Sequence, residues 1–345
     1  MIDRKAAVLH QSLQFDMIES TQVAAARREI GQLCARLGFD PTAAGRAAIV
    51  VTELGSNLIK HARDGQLLAR AVPAGTAWGV ELLSVDRGPG MPDAGAALRD
   101  GFSTAGTPGT GLGAIRRQSD AFELHSSASG TAVRAVLAPR APAAAGPEAG
   151  AFEIGAVCRA MPGETDSGDA WRVEATGGAL VALVADGLGH GPLAAQAAVA
   201  ALAALDPHAA DLEQMYRGIH AALRPTRGAA VGLARVTART IEFLGIGNIV
   251  CRVRVGGADR HLVSHNGIAG HEARKVHTFT QPLADDALVI LHSDGIATRW
   301  SLDAYPGLEI RHPSLIAAAL YRDHFRGRDD ATVLVARVGP ERPLP

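Results

Sequence analysis

The sequence is poor in aromatic residues and cysteine, and neither sign of charge is in excess. Phe, Trp and Tyr make up 4% of the 345 residues, so the cores must be built from Ala, Val, Leu and Ile within a chain that is 47% hydrophobic. The three cysteines, Cys34, Cys158 and Cys251, are widely spaced and odd in number. This pattern argues against a disulfide framework and suits a reducing compartment. With 34 Lys and Arg against 35 Asp and Glu, we expect no nucleic-acid footprint and no polybasic membrane patch.

A targeting or membrane segment is also lacking. The first twenty residues contain no apolar signal core, so we expect no export. The most hydrophobic run, residues 179–205, includes Asp186, His190 and Pro192. A lipid-spanning helix rarely tolerates such residues, so the run predicts a buried strand, a turn and a helix. We therefore expect a cytoplasmic protein.

The length of the chain predicts two domains. Residues 139–150, PRAPAAAGPEAG, are mostly Pro, Ala and Gly and show no apolar periodicity. Such a composition is typical of a linker. We therefore predict a first domain over residues 1–138, a linker over residues 139–150, and a second domain over residues 151–338.

A polar stripe runs along a helix that is predicted to begin at Pro41 and to end near His61. Glu53 and Asn57 are four residues apart and would share one face. The carboxylate could accept a proton and the amide oxygen could ligate magnesium. Lys60 could balance phosphate charge. Taken alone, the spacing is more often that of the solvated face of an amphipathic helix.

Two glycine-rich stretches follow this helix. DRGPG, residues 86–90, comes after a predicted strand over residues 79–85, and the Asp86 carboxylate could accept hydrogen bonds from an exocyclic amine. GTPGTGLG, residues 106–113, leads into a predicted helix, where free backbone amides suit an anion. Each stretch alone is also typical of a turn or a flexible loop. The second lacks the GK[ST] ending of a Walker A motif.

In this order, ELGSNLIKHA (residues 53–62), DRGPG and GTPGTGLG resemble the N box and the two glycine boxes of the GHKL (Bergerat-fold) ATP-binding family. Residues 100–136 are similar to its RsbT subgroup of small bacterial serine kinases. The resemblance implies an α/β sandwich that binds ATP or ADP with Mg²⁺. It implies Glu53 as general base, Asn57 as Mg²⁺ ligand and Asp86 as the adenine acceptor. The other implied nucleotide contacts are Lys60, Gly88, Gly90, Thr107, Gly109, Thr110, Gly111, Leu112 and Gly113.

Acidic residues recur in the second domain where predicted strands begin or end. Asp186 and Asp294 each follow an apolar run and precede a glycine, whereas Asp169 precedes WRVEA. Asp329 and Asp330 stand directly before the last predicted strand. One Asp-Gly pair would indicate only a hairpin turn, but several such corners suggest carboxylates gathered around metal ions. Donor sets made only of oxygen favour magnesium or manganese over zinc.

The order of these acids, together with ADGLGHGPLAAQAA at residues 185–198, resembles the PPM-type serine/threonine phosphatases of the SpoIIE and RsbX branch. The resemblance implies an α-β-β-α sandwich and hydrolysis assisted by two Mn²⁺ or Mg²⁺ ions. His190 and His292 could protonate the leaving oxygen, although a structural role is the stronger interpretation for each. The implied metal positions are Asp169, Asp186, Gly187, Asp294, Asp329 and Asp330, with Asp186 bridging the ions and Asp169 in the outer shell.

Taken together, the two resemblances imply an α+β, two-domain stress or sigma-factor switch. The first domain would phosphorylate a STAS-type antagonist or stressosome scaffold protein, and the second would remove the phosphate, with a further regulatory partner downstream. Two alternatives stay open. The GHKL domain could be a nucleotide sensor or partner clamp for an active phosphatase, or the whole chain could be a non-catalytic scaffold that sequesters a partner.

Two further segments gave no functional signal. GIGNIVCRVRV, residues 245–255, has a glycine pattern but no following helix, so it is not a dinucleotide fingerprint. Residues 265–277 contain three histidines without tight ligand spacing. We interpret this second segment as an exposed loop between strands.

Overall fold

The computed structural model describes residues 11–75, 77–91, 111–139, 152–271 and 276–339. Packing divides these residues into two compact units. The first unit comprises residues 12–139 together with residues 301–322, and the second comprises residue 11, residues 152–300 and residues 323–339. The predicted linker lies almost wholly outside the described ranges and stays a prediction. Among the helices that are described, none is long and apolar enough to cross a membrane.

The first unit is built on one antiparallel sheet with the strand order β1-β2-β3-β5-β4. Within the described ranges, three helices cover one face of this sheet and form a core with it. The strands are β1 (Leu13–Asp16), β2 (Gln66–Ala74), β3 (Ala77–Asp86), β4 (Ala121–Ser127) and β5 (Gly130–Leu137). The helices are α1 (Ser20–Arg36), α2 (Pro41–His61) and α3 (Gly111–Gln118).

The helix that carries the polar stripe has the bounds predicted from the sequence. Asp40 caps α2 by accepting hydrogen bonds from the amides of Thr42 and Ala43 at 2.8 and 2.9 Å, and Pro41 occupies the first turn. The hydroxyl groups of Ser20 and Thr21 at the start of α1 are typical N-cap groups, but neither residue is the N-cap. Glu19 is the N-cap, and its amide donates to Gln22 Oε1 at 2.7 Å. A capping box therefore replaces the expected hydroxyl cap.

The second face of this sheet is covered as well. The residues between Leu68 and Val72 on β2 are all buried, and so is every residue of β5. A segment from beyond residue 300 packs there, and we call it the α6 segment (Ser301–Arg322). It contains a 3₁₀ turn at Leu302–Ala304 and most of helix α6 (Pro313–His324).

The second unit contains two five-stranded antiparallel sheets with the strand orders β13-β10-β9-β8-β7 and β12-β11-β14-β15-β6. The strands are β6 (Phe152–Arg159), β7 (Asp169–Thr176), β8 (Ala179–Gly187), β9 (Ala229–Val236), β10 (Thr240–Ile246), β11 (Val250–Val255), β12 (Ala258–Leu262), β13 (Phe279–Pro282), β14 (Leu288–His292) and β15 (Ala331–Val338). The helices are α4 (Pro192–Ala203) and α5 (Leu212–Leu223).

One apolar core joins the two sheets, with Phe243 from the first sheet and Val289 and Leu334 from the second. A second core lies between the β7–β10 sheet and helices α4 and α5. Ala197 and Ala201 of α4 are fully buried in it, because small side chains allow the helix to lie close to the sheet. The predicted α+β, two-domain architecture is confirmed, and the hydrophobic run is a core strand and helix rather than a membrane span.

The register of the strands sets the position of the acids. Asp169 at the start of β7 lies opposite Asp186 at the end of β8. His292 at the end of β14 lies opposite Val333 near the start of β15. Antiparallel pairing therefore brings Asp294, after β14, to the same end of its sheet as Asp329, before β15.

Candidate active sites

Three predicted residues of the first unit meet at the start of α3. A Cβ atom added to Gly111 would lie 3.1 Å from Glu53 Oε2 and 3.4 Å from Asn57 Oδ1. The first residue of α3 thus packs on the polar stripe of α2. The arrangement places a carboxylate and an amide oxygen beside the free N–H groups of a helix N-terminus, where an anion is favoured.

The DRGPG turn has a fixed shape. The amide of Gly88 donates to Asp86 Oδ1 at 2.7 Å. Gly90 has φ +70°, and a Cβ there would lie 2.0 Å from the carbonyl oxygen of Ser127, so only glycine fits. Burial raises the pKa of Asp86, and the backbone hydrogen bonds and the charge of Arg322 partly oppose this rise. Asp86 is therefore a half-buried hydrogen-bond acceptor whose carboxylate is held in place by the turn.

The remaining predicted nucleotide contacts are placed as follows. Lys60 is exposed and lines a separate groove between α1 and α2, together with Ser20 and Arg27. Leu112 packs against the core of the first unit and Gly113 is buried. Thr107, Gly109 and Thr110 lie outside the described residues, so their roles stay predictions.

In the second unit, three of the predicted acids line one open cavity of about 430 Å³. These are Asp186 from β8, Asp294 after β14 and Asp329 before β15. The rest of the lining comes from short loops and from Ala230 on β9. Its residues are Leu188, Gly189, Ala230, Gly247, Asn248, Asn266, Gly267 and Ile268.

Like charges raise the proton affinity of this cavity. Burial raises the pKa of Asp186 to about 8, and repulsion from Asp294 and Asp329 adds to the rise. The pKa of Asp294 is raised by burial and by Asp329. Neighbouring carboxylates that hold their protons this firmly are a site where a cation would be stabilising.

The other two predicted acids stand behind the cavity. Ser293 Oγ donates to Asp169 Oδ2 at 2.5 Å, whereas Asp169 Oδ1 is buried without a hydrogen-bond partner. The two carboxylate oxygens of Asp330 accept from the amides of Met161 and Gly168 at 2.8 and 2.9 Å. Asp330 thus fixes the backbone of residues 161–168, and of the adjacent pair it is Asp329 that faces the cavity.

These residues fit divalent cations. The donors are hard oxygens, the acids repel one another, and Asp169 Oδ1 is a buried acceptor that lacks a donor. Across the described ranges, no three Cys, His or acidic side chains are close enough to form a complete metal shell as they stand. Water or main-chain oxygen would therefore have to complete the coordination. Asp186, Asp294 and Asp329 are the residues that would hold the ions; Gly187 stays a prediction.

The sequence pattern did not reveal Asn248. Its Nδ2 donates to Asp294 Oδ2 at 2.6 Å, and its amide also lowers the proton affinity of Asp186 through a hydrogen bond. Asn248 therefore lies between two repelling carboxylates. It is brought there because Ile246 pairs with His265 in an isolated parallel bridge, which also brings Asn266 to the cavity. The signal available in the sequence was an asparagine after two glycines at a strand end.

The two histidines are in contrasting surroundings. His292 is fully buried and its Nδ1 lies 2.9 Å from the carbonyl oxygen of Ser293. Burial lowers the pKa of His292 to about 4, so its ring is neutral at neutral pH, which favours the structural role predicted for it. His190 is exposed, and its Nδ1 lies 2.8 Å from Glu164 Oε1. It is the better placed of the two to exchange a proton with a ligand.

The acid cavity predicts an unusual pH dependence of stability. The pKa of Asp186 is about 8 in the folded chain and about 4 in an unfolded one. The folded state therefore holds the extra proton, and stability falls as the pH rises through this window. With EDTA present, we expect a lower melting temperature at pH 8 than at pH 6, by about 2–4 °C per kcal/mol lost. Mn²⁺ should stabilise more at pH 8, and a melting temperature unaffected by Mn²⁺ at either pH would contradict the assignment.

Substitutions of Asn248 test its place between the acids. Asn248→Ala removes the amide that favours the charged carboxylates, so we expect Mn²⁺ affinity to fall about 10- to 100-fold. Asn248→Asp adds a like charge, and should lower the melting temperature of the metal-free protein. Calorimetric titration measures the Mn²⁺ affinity of each variant, and thermal unfolding without metal measures its melting temperature. Asn266→Ala, which alters the same cavity from the neighbouring loop, is the matched control; an equal loss in that variant would remove the special role of Asn248.

Comparison with known proteins agrees with the geometry of the first unit. Residues 18–137 match the family described as the histidine kinase-like ATPase domain. Over 113 residues, the chain is 35% identical to the serine/threonine-protein kinase RsbT of Bacillus subtilis (strain 168). This stretch covers 32% of the chain and 85% of RsbT.

The similar solved structures cover a larger share of the chain than RsbT does. One solved chain is 29% identical to this protein, with a TM-score of 0.51. It comes from work on the bacterial stressosome as a modular system adapted to control secondary messenger signalling. The match covers 54% of this chain and 99% of that one. RsbX in complex with magnesium is 21% identical with a TM-score of 0.47, and the match covers 55% of this chain and 96% of RsbX.

Proposed function

Because residues 18–137 make the chain a member of the histidine kinase-like ATPase family, in its RsbT-like branch, we propose that the protein is a bifunctional switch of bacterial stress signalling. The RsbT-like unit transfers phosphate from ATP to a serine or threonine of a partner protein. The second unit, with its PPM-type fold, removes that phosphate. The observation that carries the proposal is that one chain contains both the Glu53–Asn57–Gly111 arrangement and the cavity of three aspartates.

Hydrolysis is proposed to occur in the cavity of the second unit. Asp186, Asp294 and Asp329 would hold two Mn²⁺ or Mg²⁺ ions, which supply charge neutralisation and an activated water when bound. Asn248 keeps Asp294 oriented toward the cavity. Asp169 lies opposite Asp186 in the strand register and is itself held by a hydrogen bond from Ser293. The open cavity can admit a phosphorylated side chain from a loop or an extended peptide.

Phosphorylation is proposed to occur where α2 meets α3. Asp86 would accept the adenine amino group, and Asn57 would hold Mg²⁺ through its amide oxygen. Glu53 lies one helical turn from Asn57, so its carboxylate is positioned to accept the proton of an incoming hydroxyl. The N–H groups at the start of α3 would stabilise the phosphate charge.

The proposed substrate is a STAS-type antagonist or a stressosome scaffold protein. RsbT is named as a serine/threonine-protein kinase, and one similar solved chain comes from work on the bacterial stressosome. A shared substrate is the simplest reason for joining opposing activities in one chain, because the fusion fixes them at equal stoichiometry. A downstream regulatory partner would then respond to the phosphorylation state.

The sensor alternative keeps the phosphatase and assigns only nucleotide or partner binding to the first unit. The position of Glu53 beside Asn57 and Gly111 favours transfer, because mere binding does not need a base there. The scaffold alternative is disfavoured by the raised pKa of Asp186, since mutually repelling buried carboxylates destabilise a protein that makes no use of them.

The deciding experiment uses the purified full chain with a candidate STAS partner. With γ-labelled ATP and Mg²⁺, the switch predicts that label accumulates on a partner serine or threonine with the Asp186→Asn chain, in which phosphate removal is disabled. With Mn²⁺ and a partner phosphorylated beforehand, it predicts release of inorganic phosphate. Release without any labelling would support the sensor alternative, and the absence of both activities on every STAS partner tested would contradict the proposal.

A further inference from the structure

The α6 segment has an unusual position in the chain. It leaves the second unit after Trp300 and the chain returns to that unit at Asp323. Asp294 precedes the segment and Asp329 follows it, and both acids line the cavity of the second unit. In the sequence, a part of the first unit is thus inserted between Asp294 and Asp329, two of the residues that would hold the metal ions.

Polar contacts hold the segment on the sheet of the first unit. Ser314 Oγ donates to Glu81 Oε1 at 2.8 Å, and Glu81 is fully buried. Burial alone would raise the pKa of Glu81, but the charges of Arg70 and Arg134 outweigh it and lower the pKa to about 2. The carboxylate therefore stays charged at every physiological pH, and the segment is anchored on a permanent ion cluster.

Additional anchors extend along the sheet. The amide of His312 donates to Glu123 Oε2 at 2.8 Å, and Tyr321 donates its hydroxyl to Gln66 Oε1 at 2.9 Å. The segment contacts four strands of the sheet. It reaches β2, β3 and β5 through the ion cluster of Arg70, Glu81 and Arg134, and β4 through Glu123. Contacts of this number and burial specify one docked position rather than loose adhesion.

The end of the segment lies beside the predicted adenine acceptor. The guanidinium group of Arg87, the residue after Asp86, donates to the carbonyl oxygen of Arg322. A Cβ added to Gly130 would meet both the Asp86 carbonyl oxygen at 1.9 Å and Arg322 Nη1 at 2.9 Å. The charge of Arg322 also acts on the Asp86 carboxyl. A ligand that moves the DRGPG turn would therefore move the end of the α6 segment.

On the side of the second unit, both ends of the segment converge on a short stem. The amide of Ala297 donates to the carbonyl oxygen of His324 at 2.8 Å, and the amide of Arg326 donates to that of Gly295 at 2.9 Å. Ile296 and Phe325 form the bridge between these bonds. The stem begins directly after Asp294 and ends shortly before Asp329, and only Asp323 stands between Arg322 and His324 of the stem.

We propose that Arg87 and Ser314, which join the α6 segment to the rest of the first unit, act as positioning residues for Asp294 and Asp329. Adenine nucleotide at Asp86 thereby alters phosphate hydrolysis at the acid cavity. The inference rests on the proposed function for the identity of the two sites. It supplies what a fused kinase and phosphatase need, namely a bias between opposing activities.

Linkage applies to the binding equilibria: ligands that favour different arrangements of one element must change each other's affinity by the same factor. The test uses the full chain, ADP with excess Mg²⁺, and p-nitrophenyl phosphate as the hydrolysed probe. We expect ADP to change kcat/KM of the wild type by about 5-fold or more, within the usual range of such couplings. Hydrogen exchange should change in the peptides around residues 295–300 and 323–328, a readout that needs no activity.

Arg87→Ala and Ser314→Ala should keep ADP affinity within about 2-fold and lose most of the response to ADP. Arg28→Ala, an exposed arginine on α1, is the matched control and should respond like the wild type. A purely structural role of the contacts would lower stability but leave the ADP response intact, and this result would overturn the inference. So would bound ADP that alters neither hydrolysis nor exchange in the wild type. A change in exchange without any hydrolysis would instead support the coupling and refute the phosphatase assignment.

Discussion

Asp186→Asn is expected to reduce Mn²⁺-dependent hydrolysis of a phosphorylated partner on the order of 1,000-fold, the scale seen when a central charged or dipolar group of a catalytic site is removed. Asp186 is the acid on which repulsion from the other carboxylates of the cavity converges. Its loss removes the ligand that would be shared between the ions. The measurement is phosphate release at saturating Mn²⁺, beside the wild type.

The same variant is expected to accumulate label. If the first unit transfers phosphate, the wild type incubated with γ-labelled ATP should accumulate little labelled partner. With Asp186→Asn, the labelled phosphate should stay on the partner. Asp285→Asn, an exposed acid of the same unit, is the control for the change of charge and should behave like the wild type. Unchanged release by Asp186→Asn would contradict the assignment of the cavity. Its melting temperature in EDTA should also rise at pH 8, because one repelling charge is removed.

The acids could be found from the sequence because strands dictate their positions. Asp186 and Asp294 each end an apolar run and precede glycine, and antiparallel register then fixes which ends meet. The predicted helix over Pro41–His61 was equally accessible, because a capping aspartate, a proline and an apolar stripe all mark it. Local chemistry and long-range architecture agree at these places.

Asn248 was beyond such reasoning for a physical reason. Its role depends on the bridge between Ile246 and His265, a pairing that neither segment encodes by periodicity. The same holds for the α6 segment. Its sequence, PSLIAAALYRDH, reads as an ordinary apolar helix of the second domain. Only the buried charges of Arg70 and Glu81, alternating with apolar residues on their strands, hint that the second face of the sheet is covered.

Equal stoichiometry of kinase and phosphatase raises an energetic problem. Two unregulated activities on one side chain would hydrolyse ATP without changing the partner. A shared element that responds to nucleotide offers a solution, because occupancy of one site can then set the rate at the other. The α6 segment meets this requirement in its position: it contacts the turn that holds Asp86 and continues into the loops of Asp294 and Asp329.

Glu53→Gln should separate binding from transfer in the first unit. The substitution keeps the size of the side chain that packs near Gly111 but removes its ability to accept a proton. Loss of a general base typically lowers the rate about 100- to 10,000-fold. We therefore expect labelling of the partner to fall by this amount, while ADP affinity measured by calorimetry stays within about 2-fold of the wild type. Measuring transfer in an Asp186→Asn background prevents the phosphatase from masking the result.

The control and the contradiction both follow from the geometry. Glu29→Gln changes an exposed acid on α1 and should leave transfer intact. If Glu53→Gln transfers phosphate as fast as the wild type, the base must lie elsewhere and the role of α2 reduces to holding Mg²⁺ through Asn57. If wild type and variant both bind ADP and neither labels any partner, the first unit is a nucleotide sensor. Its link to the acids through the α6 segment would then be its function rather than an addition to catalysis.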